Sequence, residues 1–290
     1  MLILKNRTDR ITCNSVCAIG SFDGVHRGHQ AIVQHIRQSA GDKSKTGIIT
    51  FTPLPFSVLR KAPLCSLTPD REKERIFAQL GVDFIFYFEF SEDFAQLSPG
   101  GFVAAIKEKI KPSLIVVGEN FHFGCGRRGT AQLLKSLGKG SFRVEIMPRV
   151  TDEGAISSTR IRELLLLGNV KAASRLLGRP YSVSAIVVRG KGRGTKLGFP
   201  TINLVPPAGK LIPLDGVYKA SVNDGREEQT GALFCRQDLL EVHIIGFSGD
   251  LYGENVIVNF IERIRGISQF SDDQALAAAI AGDIKKIVAG

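Results

Sequence analysis

No run of about 18 apolar residues occurs in the 290-residue chain, which leaves no segment able to span a bilayer as a helix. The first ten residues, MLILKNRTDR, place apolar side chains before charged ones, the reverse of a secretory leader, and a cytoplasmic protein is expected. Cysteine is scarce and odd in number: five residues, at 13, 17, 65, 125 and 235, are scattered along the chain. A disulfide framework is therefore not expected, and Cys13 and Cys17 are expected as core thiols. Internal repeats, low-complexity tracts and the zinc-finger, KH and RRM signatures are all missing. Histidine is as scarce as cysteine, yet two of the five histidines, His26 and His29, fall in one turn.

What is present is an ordinary folded composition, 43% hydrophobic and 23% charged, over a length that suits two domains. Through the first 150 residues, strand-like apolar runs (16–22, 47–51, 83–90, 113–121, 142–147) alternate with helix-like stretches (26–40, 70–80, 99–110, 130–137). That alternation predicts a parallel sheet covered on both faces. Two helices are expected at 157–168, capped by Ser157 or Ser158, and at 169–177, after which Gly178-Arg179-Pro180 ends the helical pattern. The period then changes to short strands at 182–189, 216–222, 229–235, 240–247 and 255–265, with turns such as Asn223-Asp224-Gly225 between them and a helix over 271–288. The fold class is thus an α/β domain with a parallel sheet, 1–180, followed by a smaller antiparallel β-barrel with a C-terminal helix, 181–290.

Residues 20–29, Gly-Ser-Phe-Asp-Gly-Val-His-Arg-Gly-His, break the first strong strand and open a helix. Backbone N–H groups at a helix start lack internal partners, and the dipole favours an anion there. His26 and His29, three residues apart, share one helix face and can donate to phosphoryl oxygens. A glycine-rich loop with two solvent histidines is the plainer alternative, but the strand–turn–helix context favours a phosphate site. A metal centre is disfavoured, because the pair gives two ligands and no Cys or carboxylate stands at a zinc spacing. Gly20, Phe22, Asp23, Gly24 and Gly28 complete the nucleotide-side candidates.

Three further segments carry candidates. In 116–129, VVGENFHFGCGRRG, a strand runs into a basic glycine-rich turn, where Asn120 can meet a nucleotide or flavin edge and Arg127 or Arg128 a phosphate. In 156–162, ISSTRIR, hydroxyls gather at a helix start with Arg162 one turn in. In 190–204, GKGRGTKLGFPTINL, glycines expose N–H groups for a polyphosphate, while Thr201 and Asn203 offer hard oxygen ligands suited to Mg²⁺ carried by a nucleotide. A capped helix and a basic hairpin turn are the plainer readings of the last two. The 240–245 run alternates, so Glu241 and His243 share a face.

The 20–29 segment resembles the HxGH signature of the nucleotidyltransferase superfamily, in the form found in bacterial bifunctional riboflavin kinase/FAD synthetases. Gly118-Glu119-Asn120-Phe121-His122-Phe123-Gly124, the ISSTRIR run and Gly198-Phe199-Pro200-Thr201-Ile202-Asn203 are similar to segments of the same family, and so is Gly249-Asp250-Leu251-Tyr252-Gly253. The resemblance spans roughly 14–285. It implies a Rossmann-like nucleotidyltransferase domain that moves AMP from ATP to FMN, and a barrel that phosphorylates riboflavin with ATP and Mg²⁺. It assigns ATP phosphates to Ser158, Thr159 and Arg162, the general base to Glu241, and nucleotide contacts to Gly190, Gly194, Gly198 and Pro200. Phe51 and Phe123 join Asn120 as flavin-side candidates, with the core as the alternative for Phe51. The chain departs from the family at Thr52 and Leu54, where a carboxylate and an imidazole are usual, and over 231–238, where Arg-Pro-Thr is missing.

ATP, riboflavin, FMN and FAD are thus the expected partners, with no nucleic acid and no membrane, and self-association left open. Residues 101–200 hold 18 Lys and Arg against 6 Asp and Glu, although the whole chain is only +10. That basic middle suits polyanionic ligands. Two rival readings remain: an FMN adenylyltransferase with a degenerate barrel, and a nucleic-acid-binding protein, although no aromatics interleave with the basic residues.

Overall fold

The computed structural model describes residues 1–5, 9–59, 65–151, 154–236 and 239–289. Two compact units follow one another, 1–157 and 158–290. The first runs β1 (Leu2–Leu4), β2 (Ile11–Ile19), α1 (Arg27–Ala40), β3 (Lys45–Thr52), α2 (Pro55–Leu59), α3 (Asp70–Gln79), β4 (Phe84–Glu89), α4 (Glu92–Ala95), α5 (Pro99–Lys109), β5 (Ile110–Gly118), β6 (His122–Phe123), β7 (Gly129–Thr130), α6 (Ala131–Gly138) and β8 (Arg143–Met147). The second runs α7 (Ser158–Leu166), α8 (Val170–Leu177), β9 (Tyr181–Val188), α9 (Arg193–Lys196), β10 (Ile202–Val205), β11 (Gly216–Asn223), β12 (Glu228–Arg236), β13 (Leu239–Ile244), β14 (Asn255–Arg265) and α10 (Asp273–Ala289).

In the first unit the near-continuous apolar strands can only be accommodated with both faces covered, and they are. Six strands pair in parallel in the order β1-β4-β3-β2-β5-β8. On β2, Val16 and Ala18 pack with Val33, Ile36, Ile76 and Phe77 of α1 and α3. Cys17 and Ile19 face the opposite side, with Phe102, Ile106 and Leu134 of α5 and α6. After β2 the chain lays β3 and β4 to one side and then returns to place β5 on the other. The order therefore reverses between β2 and β5, and open α/β sheets bind ligands beyond the strand ends at such a point.

In the second unit strict alternation closes a six-stranded antiparallel barrel, β10-β13-β12-β11-β14-β9. Leu240, Val242 and Ile244 of β13 are buried inside, which turns Glu241 and His243 outward. α8 packs on β9 and β14, and α10 on β12 and β14. The Arg265 guanidinium holds the buried Asp283 carboxylate of α10 with contacts of 3.0 and 2.8 Å.

Several expectations need correction. Cys13 is exposed, because β2 breaks register with β5 between Ile11 and Ser15 and residues 12–14 lie outside the core; Cys17 is buried as expected, and burial pushes its thiol up to about 12. All five cysteines are free. The barrel has six strands where five were read, because β10 lies inside the glycine-rich segment. The short β1, β6, β7, α2, α4 and α9 carry too few residues for a periodic signal. Of the 231–238 stretch, Gln237 and Asp238 lie outside the described residues.

Candidate active sites

The first site is built where β2 stops. Phe22 (φ 49°) and Val25 (φ 39°) stand in the left-handed region, which disfavours such side chains by about 1–3 kcal/mol each. Both are fully buried, so core packing holds the turn in this form. Asp23, 3% exposed, lies behind it: Oδ1 accepts from the Ser66 hydroxyl (2.8 Å) and the Thr68 N–H (3.0 Å), and Oδ2 from the Leu67 N–H (3.2 Å). The Gly24 N–H donates in turn to the Thr68 hydroxyl. Asp23 is therefore a tie between the turn and residues 66–68. Ser66, Leu67 and Thr68 are not among the sequence candidates, since contacts 43–45 residues apart leave no local pattern.

His26, 7% exposed, caps α1, and its Nδ1 accepts from the His29 N–H at 3.4 Å. Accepting at Nδ1 leaves Nε2 to carry the ring proton as a donor. The two imidazoles stack with centroids 3.6 Å apart, and Phe22 meets His29 edge-on at 5.1 Å. A Cβ on Gly28 would sit 3.2 Å from the His26 ring, so glycine there leaves room for the stack. The turn thus brings a helix start and two imidazoles to the sheet's carboxyl edge, an arrangement that can bind phosphoryl oxygens.

Beyond β5, at the other side of the reversal, Asn120 is exposed and its carbonyl lies 2.9 Å from His122 Nδ1, which in turn is 3.4 Å from Arg127 Nη2. Phe123 is buried, stacked on Phe121 at 5.6 Å and 5.0 Å from Phe102. Phe51, 7% exposed, belongs to the same phenylalanine-rich cluster, edge-on to Phe90 at 5.8 Å. Ser158, Thr159 and Arg162 lie on α7, in the second compact unit.

The second site is set out on a strand face by register. Asn203 pairs with Glu241 across β10 and β13, Val188 flanks Asn203, and Phe234 flanks Glu241. Phe234 is also absent from the sequence candidates, although β-alternation along β12 places it on the same face as Ala232. Burial beside these neighbours pushes the Glu241 carboxyl above its ordinary value. Asn203 is 9% exposed, and a Cβ on Gly190 would lie 2.2 Å from its amide nitrogen, so any side chain there must displace the amide. Gly194 accepts from the Phe199 N–H at 2.9 Å and closes the loop before exposed Pro200. Gly198 (φ 83°) turns that loop. Among the described residues no group of three or more His, Cys, Asp or Glu could hold a metal. The donors at hand are the Thr201 hydroxyl and the Asn203 amide, a pair that fits a hard cation arriving with polyphosphate oxygens. Among the described residues no helix is long and apolar enough to cross a membrane.

Comparison with known proteins gives matches along nearly the whole chain. A FAD synthetase family model matches residues 8–160, and a riboflavin kinase model matches 177–289. A bifunctional riboflavin kinase/FMN adenylyltransferase of Listeria monocytogenes is 32% identical over 283 residues, 93% of this chain and 90% of the relative. The protein of the same name from Escherichia coli K12 is 34% identical over 286 residues, 92% of this chain and 90% of the relative. A crystal structure from Streptococcus pneumoniae, described as a macrolide-efflux protein, shares 32% identity with a TM-score of 0.89 over 98% of each chain.

Proposed function

This chain belongs to the bifunctional riboflavin kinase/FMN adenylyltransferase family, and on that premise we propose how its own residues divide the two reactions. The chain converts riboflavin to FMN and FMN to FAD. The observation that carries this is the tandem of the two family matches, one ending at 160 and the other starting at 177. Residues 1–180 carry adenylyl transfer and 181–290 phosphorylation; the compact units part earlier, at 157/158.

In adenylyl transfer a phosphate oxygen of FMN attacks the α-phosphorus of ATP, and pyrophosphate leaves. An in-line displacement of this kind needs positioning and charge neutralisation more than covalent help. His26 and His29 donate to phosphoryl oxygens, and the N–H groups of Gly20–Gly28 and the start of α1 hold the polyphosphate. Ser158, Thr159 and Arg162 bind ATP phosphates, the last as a bidentate fork. Asn120 meets the flavin or adenine edge, and Phe51 and Phe123 wall the flavin side.

In phosphorylation Glu241 takes the proton of the ribityl hydroxyl as its oxygen attacks the γ-phosphorus, and ADP leaves. A carboxyl pushed upward by burial is a stronger base than an ordinary glutamate. The 190–200 loop cradles the nucleotide through Gly190, Gly194, Gly198 and Pro200, and Thr201 and Asn203 would hold the Mg²⁺ that arrives with it. Mg²⁺ with ATP neutralises charge on the transferring phosphoryl group.

The test is chromatography of flavins after incubation with riboflavin, ATP and Mg²⁺. FMN followed by FAD is expected. FAD from supplied FMN, with no FMN from riboflavin, would reduce the chain to an adenylyltransferase with a degenerate barrel.

A further inference from the structure

We infer that His243 is a positioning residue for riboflavin phosphorylation: its imidazole holds the Pro200 carbonyl and thereby fixes the Thr201 hydroxyl against the nucleotide. The inference rests on the reading of 190–203 and Glu241 as the phosphorylation site, but it concerns a side chain that this reading leaves without a role.

His243 Nδ1 lies 2.8 Å from the Pro200 carbonyl oxygen. The carbonyl can only accept, so Nδ1 carries the proton and donates. The Phe199 ring stands edge-on to the imidazole, with centroids 5.8 Å apart and planes at 89°, and this packing limits rotation of the imidazole. The contact falls just past the end of the β10–β13 ladder. The β10–β13 ladder runs through Leu204↔Leu240, Asn203↔Glu241 and Ile202↔Val242. Two residues upstream of Ile202, beyond the last of these pairs, stands Pro200, and a side-chain donor from β13 takes its carbonyl.

The consequence reaches the site through one peptide. At its other end the loop is closed by the Phe199 N–H on the Gly194 carbonyl. Pro200 is thus anchored on both sides, and Thr201 follows it directly. His243 stands two residues from Glu241 on the same outward face, so one strand presents the base and the anchor together. Losing the anchor frees the Thr201 backbone while leaving Glu241, Asn203 and the barrel core in place.

The test measures FMN formation, with Mg-ATP and riboflavin varied separately, for His243→Asn and His243→Gln. The asparagine amide nitrogen occupies the position of Nδ1, whereas the glutamine amide reaches one bond farther; both are polar and similar in bulk. We expect His243→Asn to stay within about threefold of wild type. His243→Gln should raise KM for Mg-ATP about tenfold or more, with KM for riboflavin unchanged. Adding Thr201→Ala to His243→Gln should cost no more than Thr201→Ala alone, since both act through one hydroxyl. FAD formation from supplied FMN should be the same in every variant. Equal kinetics of the Asn and Gln variants, or additive effects with Thr201→Ala, would overturn the role of His243. If wild type forms no FMN from riboflavin, the reading of the phosphorylation site itself falls, and this inference falls with it.

Discussion

The two sites are assembled in opposite ways. In the parallel-sheet unit the groups proposed to meet phosphate stand where a strand has ended: a strained turn, a helix start and two stacked histidines, with Asp23 and His26 buried beneath the surface. In the barrel the groups stand on a strand that continues, and register brings Asn203 opposite Glu241. The first site depends on loop partners far away in sequence, such as Ser66 and Thr68, and the second on neighbours fixed by β-pairing. Damage should therefore stay within one reaction, and variants can break that expectation.

The largest effect is expected from His29→Ala. FAD formation from FMN should fall by about 10²–10³, the usual loss for a preorganised donor to developing charge, while FMN formation stays near wild type. Equal loss in both reactions would erase the contrast between the sites. Next comes Glu241→Gln, which should lower riboflavin phosphorylation by about 10² and spare FAD formation from supplied FMN. Two pH measurements sharpen this. The raised Glu241 pKa should set the acid limb of the phosphorylation profile above that of an ordinary glutamate. Because the folded pKa lies above the unfolded one, stability falls as pH rises from the unfolded toward the folded value. Above that window Glu241→Gln removes the penalty and should raise Tm; a lowered Tm would mean that the carboxylate is held by partners.

A smaller effect is expected from Gly190→Ala. The added methyl must displace the Asn203 amide, from 2.2 Å, and phosphorylation should drop about tenfold if that amide is the proposed metal ligand. Unchanged FMN formation would remove Asn203 from the site. The smallest effect should come from Arg162→Lys, which keeps the charge but loses the planar fork; kcat/KM for ATP in FAD formation should fall by about tenfold or less. Full retention would make Arg162 a surface residue.

How much of this was legible in the sequence depended on where each group sits. The strand–turn–helix at 20–29 and the alternation at 240–245 are local patterns, and both appear in the structure as β2 to α1 and as β13. The partners of Asp23 were not legible, because hydrogen bonds across 43–45 residues leave no periodic trace. β10 was hidden because glycine, proline and asparagine, which mark turns, crowd the segment around it. Phe51 shows the limit of residue type: a phenylalanine 7% exposed in an aromatic cluster serves the core whatever else it lines.

The central claim is two separable sites on one chain, and mixing single-site variants tests it most directly. His29→Ala given riboflavin, ATP and Mg²⁺ should stop at FMN. Glu241→Gln should leave riboflavin untouched yet turn supplied FMN into FAD. The two mixed together should make FAD from riboflavin, because FMN released by one chain is the substrate of the other. A mixture that yields no FAD from riboflavin, or either variant alone failing in both reactions, would contradict the account.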